Sequence, residues 1–224
     1  MHVGILGLAG SGKDTFAKML QEELATLGHC FALESYAKPL KVLTSIIFDL
    51  TLDELEDREL KETPKEIDPD YAVQAVFNLL NKTLQFTPEE LETASEKYFE
   101  VLGNKTNLSP REFQQLFGTD VVRATKSTAW VDYLQAKKGN LIVTDVRFEN
   151  ELCVYNILIT GRIGLDVRTT RPEHSSEHYA WHLEYDYNTP LPSTLDVVEN
   201  VKIDGFEPLR EKAKQQAELI VKTL

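Results

Sequence analysis

The sequence predicts an α/β fold in three layers, with helices covering a parallel central sheet. The first observation is an apolar run, Val3 to Leu8, which leads through glycines into a helical pattern and then into a second strand at Cys30 to Leu33. The second observation is a fully apolar run, Leu141 to Thr144, which ends at Asp145. Continuous apolar runs of this length are typical of strands buried on both faces, and a strand–helix–strand opening favours a parallel sheet.

The first helix is predicted from apolar residues that recur at three- and four-residue steps after Gly12, and Gly28 supplies its stop. These residues are Phe16, Met19, Leu20, Leu24 and Leu27. A second amphipathic segment follows Pro39. Its apolar positions are Leu40, Leu43, Ile46 and Ile47. Both patterns predict helices with one buried face.

The segment from about 49 to 108 is predicted to be a helical, acidic insertion. Residues 49 to 70 hold ten Asp or Glu against three Lys or Arg, interrupted by two prolines. Two helices are expected after them, around Tyr71 to Lys82 and Thr87 to Leu102, with Thr87 as the N-cap of the second. The acidity is explained most simply by a solvated face.

The chain after the insertion is predicted to alternate between helices and short strands. Ser109 opens a helix with the pattern of an N-cap. Short strands are expected at Ile157 to Thr160 and at Leu165 to Arg168, and a last strand at Val197 to Ile203. The final helix begins at Pro208. One of its faces carries Leu209, Ala213, Ala217 and Ile220.

The composition of the 224 residues fits a single globular domain that spans the whole chain, 42% apolar and 27% charged. No apolar run approaches the about 20 residues of a membrane span, so no membrane partner is expected. The net charge of −12 argues against nucleic acid, because Lys and Arg must replace phosphate counterions there. The chain opens directly into a strand, and Cys30 and Cys153 show neither metal-ligand spacing nor a disulfide framework. These features favour a cytoplasmic location.

The segment from Gly7 to Thr15 reads GLAGSGKDT and fits the G-x-x-x-x-G-K pattern of a phosphate-binding loop. Glycines let backbone N–H groups converge on phosphate oxygens, and the N-terminus of the following helix favours anions. Lys13 is placed to reach the β- and γ-phosphates of ATP. The predicted ATP-binding residues are Gly10, Ser11, Gly12, Lys13, Asp14 and Thr15. The alternative is a glycine-rich turn with an incidental lysine, which the flanking strand and helix disfavour.

A magnesium site is predicted beside this loop. The residue after Lys13 should be Ser or Thr, and it is Asp14, with Thr15 next. Asp145 ends the second apolar strand, and a carboxylate there points into the crevice where open α/β sheets bind ligands. The predicted Mg²⁺ ligands are Asp14, Thr15 and Asp145; for Asp145, capping the next helix is the alternative. Arg147 faces the same crevice if the backbone stays extended.

A polar stripe is predicted on the helix that Ser109 opens. Four of its polar residues step by four, so each turns about 40° from the last and they form one slanting row. They are Arg111, Gln115, Thr119 and Arg123. Two arginines suit a phosphate, because a planar guanidinium binds its oxygens bidentately, and an amide can both donate to and accept from a base edge. A plain exposed helix face is the alternative.

Together these motifs resemble the phage deoxynucleoside monophosphate kinases. The run GSGKDT from Gly10, the pattern R-x-x-x-Q-x-x-G-T-x-x-x-R from Arg111 and the run D-V-R-F-x-N-E from Asp145 match that family in the same order. The resemblance spans most of residues 1 to 210 apart from the acidic insertion. It implies a P-loop kinase fold with a parallel central sheet, a helical insertion and an arginine-bearing lid.

The resemblance also implies a pocket for the monophosphate acceptor. Its residues would be Tyr36, Lys38, Arg111, Gln115, Gly118, Thr119, Arg123, Trp130, Arg147 and Glu151. Tyr36 and Lys38 belong to the run SYAKPLK, which is similar to the family's F-A-x-P-L-K run after the second strand. Trp130 matches the family's downstream tryptophan. Stacking on a base is its functional interpretation, and packing in the core is an alternative of equal weight.

A lid is predicted at about residues 161 to 182. The stretch has little apolar content, and its order R-P-x-H-x-S-E from Arg171 resembles the family's lid region. Monophosphate kinases need a mobile, arginine-bearing lid that excludes water and stabilises charge in the transition state. The predicted catalytic residues are Lys13, Arg168 and Arg171, with solvated side chains as the alternative for each arginine. Zinc is disfavoured, because no carboxylate–histidine constellation at helix spacing accompanies the histidines.

The predicted reaction is transfer of the γ-phosphate of ATP to a deoxynucleoside monophosphate (dNMP), giving ADP and the deoxynucleoside diphosphate, with Mg²⁺ as cofactor. Two alternatives stay open. One is a P-loop kinase for another phosphorylated metabolite, such as dephospho-coenzyme A or phosphomevalonate. The other is a non-catalytic nucleotide-binding module that hydrolyses ATP slowly and acts through a partner. The resemblance also allows a homodimer and, for a phage protein, implies the host cytoplasm.

Overall fold

The computed structural model describes residues 1–161, 179–186, 188–200 and 205–224. Within it the chain forms two compact units. We call Met1–Ser35 together with Lys138–Leu224 the sheet unit, and Tyr36–Lys137 the helical unit. The helical unit therefore begins earlier and ends later than the segment 49 to 108. The interpretation as a single domain with an insertion at those bounds stays a prediction.

A parallel five-stranded sheet forms the centre of the sheet unit as far as the structure describes it, which confirms the predicted α/β class. Its strands are β1 (His2–Leu6), β2 (Ala32–Glu34), β5 (Leu141–Val143), β6 (Tyr155–Thr160) and β7 (Leu195–Glu199). They lie in the order β2-β5-β1-β6-β7. β1 is central, with β5 on one side and β6 on the other, and the residues facing out of its pleat on both sides are buried. This double burial is why the strand reads as a continuous apolar run.

Helices cover the sheet: α1 (Lys13–Thr26), α8 (Tyr179–Tyr185) and α9 (Glu207–Thr223). The apolar positions predicted for the last helix, Leu209, Ala213, Ala217 and Ile220, are all buried in a core shared with α1 and the strands. In α1, Phe16, Met19, Leu20 and Leu24 are buried as predicted, whereas Leu27 lies after the end of the helix and is exposed. Gly28 has a φ of +84° and follows this end, as expected for a helix stop.

The helical unit contains the remaining α-helices that the structure describes and a short antiparallel ladder. The helices are α2 (Lys38–Phe48), α3 (Arg58–Glu62), α4 (Pro69–Asn78), α5 (Pro88–Val101), α6 (Pro110–Gln115) and α7 (Ala129–Gln135). The ladder pairs β3 (Lys65–Glu66) with β4 (Asn107–Leu108). The capping box of α5 is confirmed, since the Thr87 hydroxyl accepts from the Glu90 N–H and the Glu90 carboxylate accepts from the Thr87 N–H. The N-cap at Ser109 is confirmed as well.

Two π-helical segments continue α-helices of this unit, and neither is predicted from the sequence. Leu79–Thr83 follows α4, and Leu116–Arg123 follows α6. Single-turn 3₁₀ segments lie at Glu54–Glu56 and Glu149–Glu151. π turns are frequent at functional sites, and the π segment Leu116–Arg123 carries part of the polar stripe predicted from the sequence.

Several sequence predictions fall on residues outside the described ranges. These are the strand Leu165 to Arg168, most of the lid, and the last residues of the strand Val197 to Ile203. Among the helices that the structure does describe, none is long and apolar enough to cross a membrane.

Candidate functional site

The phosphate-loop segment connects β1 to α1, as the motif requires. Gly10 and Gly12 have φ angles of +75° and +92°, a region that side chains other than glycine's rarely adopt. The loop is closed by a bond from the Ser11 N–H to the Leu8 carbonyl at 3.1 Å. Gly12 is the N-cap of α1, and its carbonyl accepts from the Phe16 N–H. The N-terminal amides of a fourteen-residue helix therefore begin directly at the loop.

Lys13 and Asp14 form an ion pair at the start of α1. The Lys13 Nζ lies 3.3 Å from the Asp14 Oδ2. The Asp14 side chain is 70% exposed, whereas the Lys13 side chain is mostly covered. Thr15 is half-buried on the same first turn. Asp14, which stands where the usual motif has Ser or Thr, thus offsets the charge of Lys13.

Asp145 lies at the same edge of the sheet as the phosphate loop. β5 neighbours β1 in parallel, with Gly4 opposite Val143. Continued by two residues, this register brings Asp145 level with Leu6, the last residue before the loop. The carboxyl ends of both strands face this edge, which is where open parallel sheets bind ligands.

Glu151 has backbone contacts that are not predicted from the sequence. Its side chain is 2% exposed, and its Oε2 accepts from the N–H of Arg147 at 2.7 Å and of Phe148 at 3.1 Å. The Arg147 carbonyl accepts from the Tyr179 N–H at 2.6 Å. The backbone of Arg147 is therefore held on both sides, while its side chain is exposed. Glu151 acts on this loop through the backbone; binding of substrate by Glu151 stays a prediction.

Tyr179 is the site neighbour whose pKa is shifted by its surroundings. Burial raises the pKa of the Tyr179 phenol, and the Glu149 carboxylate raises it further. The phenol is therefore neutral at physiological pH and adds no charge beside Arg147.

The oxygen donors at this edge fit magnesium better than a metal that needs a closed protein cage. Across the described ranges, no group of three or more His, Cys, Asp or Glu side chains could hold a metal ion. Mg²⁺ keeps several waters and binds one or two carboxylates together with substrate phosphates. An exposed carboxylate at Asp14, a hydroxyl at Thr15 and a second carboxylate at Asp145 are a donor set of that kind.

Asn200 touches the phosphate loop and was missed by the sequence analysis. It directly follows β7 and is 8% exposed. Its Nδ2 donates to the Ser11 carbonyl at 2.7 Å. A Cβ at Gly12 would lie 2.4 Å from that nitrogen, so the contact leaves space for glycine alone. The sequence gives no signal for the contact between Asn200 and Ser11, because these residues are 189 positions apart.

In the helical unit, the predicted polar stripe crosses from α6 into the π segment. A step of four overshoots a full turn in an α-helix, whereas a π turn, closed by i→i+5 bonds, takes up more than four residues. The row therefore slants in opposite directions in α6 and in the π segment. As a result, the four polar side chains lie closer to a straight line along the helix than they would in a continuous α-helix. Arg111, Gln115 and Thr119 are exposed, and Arg123 is half-buried.

Arg111 already has a carboxylate partner. Its Nε lies 2.5 Å from the Glu62 Oε1, and both side chains are about half exposed. Glu62 ends α3 and belongs to the acidic stretch of residues 49 to 70. That stretch also supplies Glu56, whose carboxylate pairs with Lys41 at 2.6 Å. The acidic stretch therefore supplies ion-pair partners in addition to a solvated face.

Gly118 and Trp130 pack together within the helical unit. Gly118 is buried, and a Cβ there would lie 2.8 Å from a methyl group of Leu40. The Trp130 indole is 4% exposed and donates to the Gly118 carbonyl at 3.4 Å. These contacts agree with the interpretation that Trp130 packs in the core. Stacking of Trp130 on a base stays a prediction.

Tyr36 and Lys38 lie at the start of the helical unit. Tyr36 is buried and Lys38 is exposed as the first residue of α2. Lys38 lines a cavity of about 510 Å³ between α2 and α4. Apart from Lys38, none of the predicted acceptor residues is among those that line it.

The predicted site residues thus fall into three groups. Those of the sheet unit are Gly10, Ser11, Gly12, Lys13, Asp14, Thr15, Asp145, Arg147 and Glu151. Those of the helical unit are Tyr36, Lys38, Arg111, Gln115, Gly118, Thr119, Arg123 and Trp130. Arg168 and Arg171, the two predicted lid arginines, lie outside the described residues.

Comparison with known proteins gives a curated relative and no family match. A scan against protein-family models finds none that matches. Among curated proteins, the chain is 30% identical over 176 residues to the deoxynucleoside-5′-monophosphate kinase of Escherichia phage T5. The aligned part covers 66% of this chain and 69% of the phage enzyme.

Proposed function

Since the chain belongs to the family of the phage T5 deoxynucleoside-5′-monophosphate kinase, we propose that it transfers the γ-phosphate of ATP to a deoxynucleoside monophosphate. The products are ADP and the deoxynucleoside diphosphate. Phosphoryl transfer of this kind needs no covalent enzyme intermediate; it needs positioning and charge neutralisation.

One observation carries the proposal. A glycine loop runs from the end of a buried parallel strand into the N-terminus of α1, with Lys13 on its first turn and Asp145 at the end of the neighbouring strand. Backbone N–H groups, a helix N-terminus and a lysine are the groups that bind the β- and γ-phosphates of a nucleotide. A carboxylate at the same edge suits the magnesium that accompanies ATP.

In the proposed reaction each charged group has a separate task. Lys13 binds the β- and γ-phosphates and exchanges its Asp14 partner for phosphate oxygens. Asp14, Thr15 and Asp145 are the residues that would hold a magnesium ion, which would supply neutralisation of charge on the transferred group. The arginines proposed for the acceptor phosphate are Arg111 and Arg123 in the helical unit and Arg147 in the sheet unit, since a guanidinium group binds phosphate oxygens bidentately. Arg168 and Arg171 stabilise the transition state from the lid.

The proposal is tested by measuring ADP formation from ATP and Mg²⁺ with different acceptors. Parallel reactions contain no acceptor, each of the four dNMPs, dephospho-coenzyme A, or phosphomevalonate, and the phosphorylated product is identified by chromatography. We expect ADP and a deoxynucleoside diphosphate in equal amounts with at least one dNMP. Turnover with another metabolite alone would replace the acceptor class. ADP formation that no acceptor changes would indicate the nucleotide-binding module instead.

Lys13→Ala is the matched loss-of-function variant for this assay. We expect kcat to fall by at least about 100-fold, the scale of losing one preorganised electrostatic contact in the transition state. Lys18→Ala removes an exposed lysine from the same helix and should leave kcat unchanged. Near-normal turnover in a folded Lys13→Ala protein would remove the phosphate loop from the mechanism.

A further inference from the structure

Asn200 is fixed at the end of β7 by its own backbone. Its N–H donates to the Thr160 carbonyl at 2.8 Å, which continues the ladder between β6 and β7 by one residue. The side chain is buried, and its amide faces the Ser11 carbonyl at 2.7 Å. An amide that faces a carbonyl must present its NH₂ group, so the side chain acts as a donor here.

This contact determines the direction of the next N–H in the phosphate loop. The peptide bond between Ser11 and Gly12 is trans and planar, so the Ser11 carbonyl and the Gly12 N–H point in opposite directions. Because the Ser11 carbonyl is bonded to the Asn200 amide, the Gly12 N–H points away from the Asn200 side chain. A bond to the carbonyl also polarises the amide and strengthens the donor at its other end.

We propose that Asn200 is a positioning residue for nucleotide phosphate: it holds the Ser11–Gly12 peptide so that the Gly12 N–H is ready to bind phosphate oxygens of ATP. The inference rests on the proposed function, because it assumes that this loop binds the phosphates. Glycine at position 12 follows from the same contact, since the Asn200 amide occupies the space of a side chain there. A loop held in its binding conformation before the ligand arrives binds more tightly, because less ordering is left to be done.

Asn156 provides a matched control. It is also a buried asparagine on the sheet, on β6, and its Nδ2 donates to the Cys153 carbonyl and to the Thr194 hydroxyl. None of these contacts reaches the phosphate loop. A variant at Asn156 therefore removes a buried amide from the same sheet and leaves the Ser11–Gly12 peptide in place.

The experiment measures binding of ATP, tripolyphosphate and dNMP by calorimetry to the wild type, Asn200→Ala, Asn200→Ser and Asn156→Ala. We expect Asn200→Ala to weaken ATP and tripolyphosphate by the same factor, about fivefold to tenfold, the scale of one hydrogen bond. Asn200→Ser keeps a hydroxyl donor on a shorter side chain and should lose less. The dissociation constant of the dNMP should not change. Where Asn200→Ala does not fold, Asn200→Ser carries the comparison.

The outcomes separate this inference from the proposed function. If the wild type binds neither ATP nor tripolyphosphate, the proposed function fails. If the wild type binds both and the Asn200 variants bind them as tightly as Asn156→Ala does, the positioning role is wrong. Loss of ATP affinity without loss of tripolyphosphate affinity would also overturn it, because Asn200 would then act on the nucleoside and not on the phosphates.

Discussion

Asp14 places a carboxylate where the phosphate-loop pattern has a hydroxyl. Its ion pair with Lys13 contributes little to folding, because the Asp14 carboxylate is exposed and water screens the pair. Its consequence is for binding. The Asp14 carboxylate repels an ATP phosphate that approaches Lys13. A cation bound to that carboxylate removes the repulsion, because the carboxylate is then a ligand of the cation.

We therefore predict that nucleotide binding depends on magnesium more strongly than the usual motif requires. Asp14→Ser should tighten ATP binding in EDTA by about fivefold, since like charges about 4 Å apart in water repel by about 1 kcal/mol. Asp14→Asn, which removes the charge and keeps the size, should do the same. The measurement is an ATP titration in EDTA and again with excess Mg²⁺. Equal affinities of wild type and both variants in EDTA would mean that Asp14 acts only on the helix terminus.

At the scale of elements, the spacing of apolar residues predicted those helices and strands in which buried side chains recur at regular intervals or in a continuous run. β1, β5, β6, α1 and α9 were predicted within a few residues, because each carries its own apolar face or run. The ladder of Lys65–Glu66 with Asn107–Leu108 was not, since it joins two-residue segments that lie far apart in sequence. The π segment at Leu116–Arg123 was also missed, because a wider turn leaves no local pattern to read.

The candidate site divides in the same way. The phosphate loop could be predicted because its residues are contiguous and its chemistry demands glycines and a lysine at fixed spacing. The backbone role of Glu151 could not, because a carboxylate that accepts from two N–H groups reads in sequence like any other carboxylate. Asn200 could not either, because β7 brings it to the loop only through the strand order.

The pairing between α3 and α6 gives a prediction at this scale. Glu62 forms an ion pair with Arg111, so it competes with any phosphate that this arginine binds. Glu62→Gln should therefore lower the KM for the dNMP, by up to about fivefold if an exposed pair is worth about 1 kcal/mol. The KM for ATP should not change. Steady-state kinetics with each substrate varied in turn measures both.

The control for this prediction is Glu56→Gln, which breaks the ion pair with Lys41 in the same unit without touching the stripe. It should leave both KM values unchanged. An unchanged KM for the dNMP in Glu62→Gln would show that Arg111 serves the packing of α3 on α6 and takes no part in binding the acceptor.

On the scale of the whole molecule, the two tryptophans report on different parts of the chain. Trp130 belongs to the helical unit and Trp181 to the sheet unit, and the chain has no other tryptophan. Both are buried. In a Trp130→Phe background, fluorescence therefore follows the unfolding of the sheet unit alone.

Tyr155 on β6 contacts residues of β7 and α9 in the sheet unit. The Tyr155 hydroxyl on β6 contacts the carboxylate of Asp196 on β7 and lies 2.9 Å from the Oε1 of Gln216 on α9. Burial, and then the Asp196 carboxylate, raise the pKa of the Tyr155 phenol above its ordinary value. The folded state therefore holds this proton more tightly than the unfolded chain does.

The pH dependence of stability follows from that difference. Below about pH 10 the phenol is protonated in both states and adds no slope; above it the unfolded chain releases a proton that the folded chain keeps, so the free energy of unfolding falls as pH rises. Tyr155→Phe should cost about 1 kcal/mol at neutral pH, because the Asp196 carboxylate loses the phenol O–H donor, and should reduce the fall above about pH 10. Urea unfolding followed by Trp181 fluorescence at about pH 8 and pH 10.5 measures both quantities. Tyr71→Phe, which removes an exposed hydroxyl in the helical unit, should change neither. If Tyr155→Phe keeps the full alkaline slope, the phenol titrates alike in both states and the three-element contact does not hold its proton.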